Sequence, residues 1–232
     1  MTTPTAVAVV VPARNEEALL PACLDAIDVA VEGLRAEHPH VEARVFVALD
    51  ACRDGSAAVV AGRSGVTAVE LYAGCVGIAR AAAVDAASEW AAGSSHGSLW
   101  LANTDADSVV PPHWLTTQVR LATAGFDLVV GTVRPLPADL SPDALAAWHE
   151  RHSTADGHEH VHGANLGFTT AAYATVGGYA PLRAHEDVEI VAAMKEAGLG
   201  WIATGAIPVT TSGRAVSRVT DGFATYLEGL AT

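Results

Sequence analysis

Apolar residues follow two rhythms along this chain, and they alternate. Ala6 to Ala13 is a largely β-branched run closing on Pro12, the pattern of a strand buried on both faces. From Glu16 to about Arg35 the spacing turns helical, with Leu19, Leu20, Cys23, Leu24, Ile27 and Val31 on one face. Val41 to Leu49 reads as a second strand ending at Asp50, and the turn from Asp50 to Ser56 feeds a short helix ending near Gly62. Val66 to Tyr72 predicts a third strand, Gly77 to about Trp90 an alanine-rich helix, and the Gly-Ser cluster at 93–98 a turn. A fourth strand opens at Leu99. This β-α-β-α-β-α-β order is that of a parallel sheet with right-handed crossovers.

The second half is less regular. His113 to Ala124 and Ala144 to His152 predict helices, and Phe126 to Val133 a strand between them. Asp156 to Gly163 is a histidine-rich loop. Leu166 to Thr169 predicts a short strand, and Thr170 to Val176 a short helix stopped by Gly177-Gly178. Glu186 to Ala197 is an amphipathic helix closed by Gly198, Trp201 to Thr211 a final strand, and Asp221 to Leu230 a terminal helix. No internal repeat and no linker stands out, so residues 1–232 read as one domain.

The polar residues concentrate at strand ends: Arg14 to Glu17, Asp50 to Asp54, and Asp105 with Asp107. In an open α/β sheet that edge is where ligands bind, so these groups point to one shared site. Asp105 and Asp107 lie just before Pro111-Pro112, which a strand cannot cross, so they are expected where the strand opens into a loop. Two carboxylates at that spacing can reach one hard cation, which commonly bridges protein carboxylates to substrate phosphates. The plain alternative is an acidic solvated loop.

Composition narrows the partners. The formal net charge is −13, with one lysine, twelve arginines and ten histidines. That argues against a nucleic-acid or anionic-membrane surface, since both need a basic footprint. Cys23, Cys52 and Cys75 are odd in number and form no C-x-x-C, so neither a disulfide framework nor a zinc ribbon is implied. No run of 18 or more apolar residues predicts a membrane span, and the first apolar run lacks a signal peptide's basic flank. A cytoplasmic protein is expected, with a homodimer possible.

Seven segments in a fixed order carry a resemblance to a known family: V-V-V-P-A-R-N-E-E at 9–17, L-D-A-C-R-D-G-S at 49–56, G-I-A-R at 77–80, T-D-A-D at 104–107, G-A-N at 163–165, V-G-G-Y at 176–179 and H-E-D at 185–187. The chain resembles family 2-type glycosyltransferases of the GT-A fold. That fold is α/β and Rossmann-like: a mostly parallel central sheet with helices on both faces, open at the acceptor side. The resemblance implies a nucleotide-sugar-binding half, 1–110, and an acceptor-binding half, 111–232. It implies a UDP- or GDP-sugar donor, a small-molecule or glycoside acceptor, and Mg2+ or Mn2+ as the cation.

The resemblance also assigns roles. Pro12, Ala13, Arg14, Asn15, Glu16 and Glu17 would hold the base and ribose, and Asp50 would accept from a uracil N–H. A helix N-cap is the alternative for Asp50. Arg80 would lie near base and diphosphate; a surface helix arginine is its alternative. Asp105, Ala106 and Asp107 would meet the donor, the two carboxylates through the cation, with His185 as a further ligand. Gly163, Ala164 and Asn165 would let backbone approach the donor sugar. Arg214 and Arg218, four apart, would meet diphosphate oxygens. Asp187 would be the base that deprotonates the acceptor in an inverting displacement, with Glu186 orienting it or the acceptor. Two acids opening a helix are also stabilised by its dipole without any chemistry.

Departures from the family pattern lie in the turn after Asp50, where Asp54 is displaced by Ala51-Cys52-Arg53, and in Ala81 where an asparagine usually follows the arginine. They leave the base open. The segment ends without a membrane-spanning extension, which argues against membrane-coupled polymer synthesis. His149, His152, His158, His160 and His162 offer imidazoles to a transition metal or form a mobile loop over the acceptor. Rival readings are a haloacid-dehalogenase-type phosphatase on D-A-D-S-V, and a non-catalytic sugar-nucleotide-binding protein. A nucleotidyltransferase would need a glycine-rich basic loop that P-A-R-N-E-E does not provide.

Overall fold

The computed structural model describes residues 3–93, 97–152 and 154–213. The strands are β1 (Ala6–Ala13), β2 (Glu42–Asp50), β3 (Val66–Leu71), β4 (Leu99–Asn103), β5 (Ser108–Val109), β6 (Leu128–Pro135), β7 (Leu166–Thr169) and β8 (Trp201–Thr211). The helices are α1 (Leu20–Glu37), α2 (Ser56–Ala61), α3 (Val76–Gly93), α4 (Trp114–Thr123), α5 (Pro142–Arg151), α6 (Thr170–Thr175) and α7 (Glu186–Glu196).

All eight strands join one sheet, in the order β3-β2-β1-β4-β7-β6-β8-β5. β1 to β4 run parallel, β7 is antiparallel to β4 and β6, and β5 is antiparallel to β8. The sheet is therefore mostly parallel, as the pattern predicts.

The β-branched run at β1 sits in the middle of this sheet, and its pleat splits the core in two. Val7, Val9 and Val11 face α1 and α4, packing with Leu24, Ile27 and Trp114. Ala6, Ala8 and Val10 face the opposite layer, with Ala83 and Val84 of α3 and Ile190 and Met194 of α7. A fully buried aliphatic side chain contributes about 1.5–3 kcal/mol. Small alanines on one face of β1 let the alanine-rich α3 pack close, which is why that helix needs few large residues.

Two boundaries differ from expectation. Helix α1 begins at Leu20, not Glu16. Asn15 is left-handed at φ 56, and the backbone N–H groups of Glu16 and Glu17 donate to Ser56 Oγ and Asp54 Oδ2. Residues caught in that clasp cannot join the helix. The loop after β4 also does not run open into the prolines. Ser108 and Val109 form β5, pairing with Thr211 and Thr210 of β8. A two-residue strand carries no periodicity, so its partner on the far side of the chain is invisible in sequence. The predicted terminal helix at 221–230 lies outside the described residues.

Candidate active site

Three turns meet at the carboxyl edge of β1, β2 and β4. The first two are clasped together: Arg53 N–H donates to Asn15 Oδ1 at 2.7 Å and Gly55 N–H to Glu17 Oε2 at 2.6 Å. Asn15 N–H meets Cys52 Sγ, and that thiol donates to the Ala13 carbonyl. Pro12 is half-buried, Ala13 and Glu16 are buried, and Arg14 and Glu17 are exposed. Arg14 reaches toward Gly74 on the β3–α3 loop.

Asp50 has a defined structural job. It is 3% exposed, and its two oxygens accept from the backbone N–H groups of Gly74 and Cys75, both at 2.8 Å. Gly74 is left-handed at φ 60, so glycine suits the turn that brings those N–H groups round. Asp50 is not the cap of α2, whose N-cap is Gly55. Asp54 closes that turn instead, accepting from Ser56 N–H and Oγ–H.

The loop carrying Asp105 and Asp107 is held from both sides. Thr104 N–H donates to the Val10 carbonyl and Ser108 N–H to the Asp105 carbonyl. Ser212 N–H donates to the Asp107 carbonyl, which ties the loop to the end of β8. Asp107 Oδ1 accepts from Ser108 Oγ at 3.3 Å. Cys23 of α1 lies beneath and donates to the Asp105 carbonyl. Burial pushes its thiol well above the ordinary range, and the neighbouring Asp107 and Asp105 charges add to this.

Arg80 on α3 is the hub. It is 1% exposed; Nη2 donates to Asp105 Oδ1 at 2.6 Å and Nε to Glu186 Oε1 at 2.9 Å. Its surface-arginine alternative is excluded. The guanidinium lies 6.0 Å over the ring of Tyr179, whose hydroxyl donates to Asn103 Oδ1. Nη1 has no hydrogen-bond partner among the described residues.

Glu186 is buried at 5% exposure, and burial pushes its carboxyl above the usual range while Arg80 pulls it back. Asp187 is half-buried, with Oδ2 accepting from Gly163 N–H at 2.6 Å and Oδ1 from Val188 N–H at 2.9 Å. A Cβ on Gly163 would collide with Arg80 Nη2 and touch Asp187 Oδ2 at 3.4 Å. The glycine is needed there because Arg80 and Asp187 close on it from two sides.

The G-A-N segment separates at this point. Gly163 belongs to the site, and Ala164 is buried at 4% exposure. Asn165 is 1% exposed and knots the second half together. Its amide nitrogen donates to the Thr132 and Ile207 carbonyls at 2.8 and 2.7 Å, and its oxygen accepts from Trp114 Nε1 at 2.9 Å. It presses on Gly131, where β6 shifts register against β8. Its side-chain amide is thus held inside the fold, which leaves the backbone of this segment as the part expected to approach a donor sugar. Sequence reasoning also missed Tyr179 and Asn103 as supports of Arg80. The V-G-G-Y segment was the signal for the tyrosine, without a way to see its partner.

His185 is exposed and left-handed at φ 64, the N-cap of α7. Among the described residues no group of three or more His, Cys, Asp and Glu is arranged to hold a metal ion. His185 is therefore not brought into a ligand set with Asp105 and Asp107, and the histidine loop is no preformed zinc site. The two aspartates remain a fitting pair for a hard cation: oxygen donors, partly exposed, on a braced loop. Arg214 and Arg218 lie outside the described residues.

The histidines form a column. His152 stacks on Trp148 and on His160, each with centroids 4.7 Å apart, and His160 stacks further with His158 and His162 at 6.2 Å. His149 sits edge-on to Trp148. Asp156 pins the loop to β8 by accepting from Thr204 Oγ1–H and Gly205 N–H. The column ends at His162, next to Gly163.

The sequence profile of glycosyl transferase family 2 matches residues 8–173. The chain belongs to that family. No curated protein matches it. Among solved structures, the mannosyltransferase PcManGT from Pyrobaculum calidifontis, in complex with GDP-Man and Mn2+, superposes with a TM-score of 0.60 at 19% identity over 97% of this chain and 60% of that one. GalNAc-T7 with UDP, GalNAc and Mn2+ gives 0.63 at 13% identity over 92% and 45%. Residues 1–349 of S. aureus TarS give 0.61 at 11% over 90% and 60%. These similarities show the GT-A fold. The chain spans less than two thirds of each of those structures. The family and the fold exclude a haloacid-dehalogenase-type phosphatase. Lys195, the basic residue that reading would use, lies 3.8 Å over the Trp201 ring.

Proposed function

We propose that the chain transfers a sugar from a nucleoside diphosphate donor to an acceptor hydroxyl, with inversion by direct displacement. The observation that carries this is the bridge made by Arg80 between Asp105 and Glu186. It draws the acidic loop after β4 and the acid pair opening α7 to one edge of the sheet, 81 positions apart in the chain.

Asp105 and Asp107 would hold Mg2+ or Mn2+, which supplies charge neutralisation to a departing nucleoside diphosphate. PcManGT and GalNAc-T7 carry Mn2+ with GDP-Man or UDP, which supports that cation and a UDP- or GDP-sugar donor. The clasped turns at 12–17 and 50–56 form the base-side wall, with Asp50 holding the β3–α3 loop in place rather than offering an open acceptor. Asp187 is the base. Its half-exposed carboxylate is oriented by Gly163 N–H, and it can take the acceptor proton as the oxygen attacks the anomeric carbon. Glu186 is buried against Arg80 and orients the α7 N-terminus.

Melting curves with a panel of sugar nucleotides, with and without Mn2+, test the reading. A true donor binds the native state and raises its melting temperature. Turnover of that donor with Mn2+ and its loss in EDTA separate an enzyme from a sugar-nucleotide-binding protein. A panel in which no sugar nucleotide shifts the melt rejects the reading.

A further inference from the structure

Arg80 contacts the parts of the site that would meet donor and acceptor, and it does so from a buried position. Its guanidinium is always charged. It faces two carboxylates, Asp105 with a side chain 36% exposed and Glu186 at 6%. The three groups sum to one negative charge. Arg80 Nη2 occupies one oxygen of Asp105, and Nη1 has no partner among the described residues, so the fork is not locked on every side.

We infer that Arg80 is a positioning residue that couples cation binding at Asp105 to the seating of the Glu186-Asp187 helix start. The inference rests on reading Asp105 and Asp107 as the cation pair. A divalent charge on Asp105 competes directly with Nη2 for that carboxylate and repels the guanidinium. Glu186, 2.9 Å from Nε, is the other ion-pair partner of Arg80 among the described residues, so cation binding strengthens the Arg80–Glu186 pair at the expense of the Arg80–Asp105 pair. Glu186 is followed directly by Asp187, whose carboxylate meets Gly163, the residue wedged against Arg80. A loaded donor loop thereby draws the base into place. Coupling of this kind is reciprocal. Whatever tightens Arg80 on Asp105 must weaken cation binding, and whatever removes Arg80 must strengthen it.

The test is a titration of the full chain with Mn2+ alone, read by electron paramagnetic resonance, then repeated with UDP and with GDP. Arg80→Gln should bind Mn2+ alone about tenfold more tightly than wild type, within the usual range of such couplings. Glu186→Gln, near-isosteric, should bind it several-fold more weakly, because Arg80 then keeps its charge-pairing with Asp105 and loses its pairing with Glu186. The two substitutions moving affinity in opposite directions is the signature. Arg80→Gln leaves Glu186 buried and unpaired, a strongly destabilising change; should it not fold, Glu186→Gln carries the test. Mn2+ affinity that falls in Arg80→Gln, or that Glu186→Gln leaves unmoved, overturns the coupling while the donor site stands. Absence of Mn2+ binding in wild type even with UDP or GDP overturns the cation site and this inference with it.

Discussion

Asp50 and Asp105 both follow apolar strands, both sit at the carboxyl edge of the sheet, and both lie close to a second aspartate. Their carboxylates meet different partners. Asp50 is buried and accepts two backbone N–H groups, closing the β3–α3 loop. Asp105 is partly exposed and accepts from one side chain, Arg80, which a cation can displace. Backbone amides are fixed donors that fold with the chain; a guanidinium is a mobile one shared with Glu186. An acid bonded to backbone is part of the frame, and an acid bonded to a shared arginine stays available for chemistry.

The sharpest way to break this comparison is to remove each acid and ask what is lost. Asp107→Ala should abolish Mn2+-dependent nucleotide binding, a loss of more than about 100-fold, with the melting temperature of the free protein nearly unchanged; calorimetry with UDP and GDP checks it. Asp187→Asn should lower turnover by about 10²–10⁴-fold with donor affinity kept, measured as separate kcat and KM values. Near-full turnover in that variant would move the base elsewhere. Asp50→Ala should do the reverse of Asp107→Ala. It strands two N–H groups bonded to a charged acceptor, at a cost of about 3 kcal/mol. At about 2–4 °C per kcal/mol for a chain of this size, that lowers the melt by roughly 10 °C. Gly163→Ala should cost about 1–3 kcal/mol, since its Cβ meets Arg80 Nη2.

A different kind of effect, a pH dependence, is expected from a third region, the histidine column. Burial, then the neighbouring His160, His152 and His158, push His162 down to about 3, and burial lowers His152 and His158 as well. Unfolded histidine titrates near 6.5. Below that pH the unfolded chain binds protons that the folded chain refuses, so stability is full above about 6.5 and falls as pH drops toward 3. The slope is at most about 1.4 kcal/mol per pH unit for each group. Denaturant melts at pH 7 and pH 5 should show the loss, and His162→Gln should flatten it.

How much of this was legible beforehand varies with the range of the interaction. The alternation of strands and helices, the central position of β1 and the bounds of β7 and β8 follow from local periodicity, because burial on one face or both leaves its mark on every second or fourth residue. The candidate residues were legible too, since carboxylates, arginine and glycine at strand ends can be listed from type and spacing. Their roles were not. Asn165 stood out only as part of a segment whose backbone would meet the donor sugar, and its side chain joins β6, β8 and α4. His185, expected as a cation ligand, stands exposed at the N-cap position of α7 with no capping side-chain hydrogen bond.

What the sequence by itself determined is the set of elements, the edge on which the polar residues gather, and the acidic net charge. What only the tertiary structure decided is which acid is framework and which is available. Arg80 lies 25 residues from Asp105 and 106 from Glu186, and nothing local says that one guanidinium serves both. Hydrogen bonds and ion pairs act over about 3 Å, so their partners are chosen by how the sheet brings distant turns together, and periodicity carries no record of that choice.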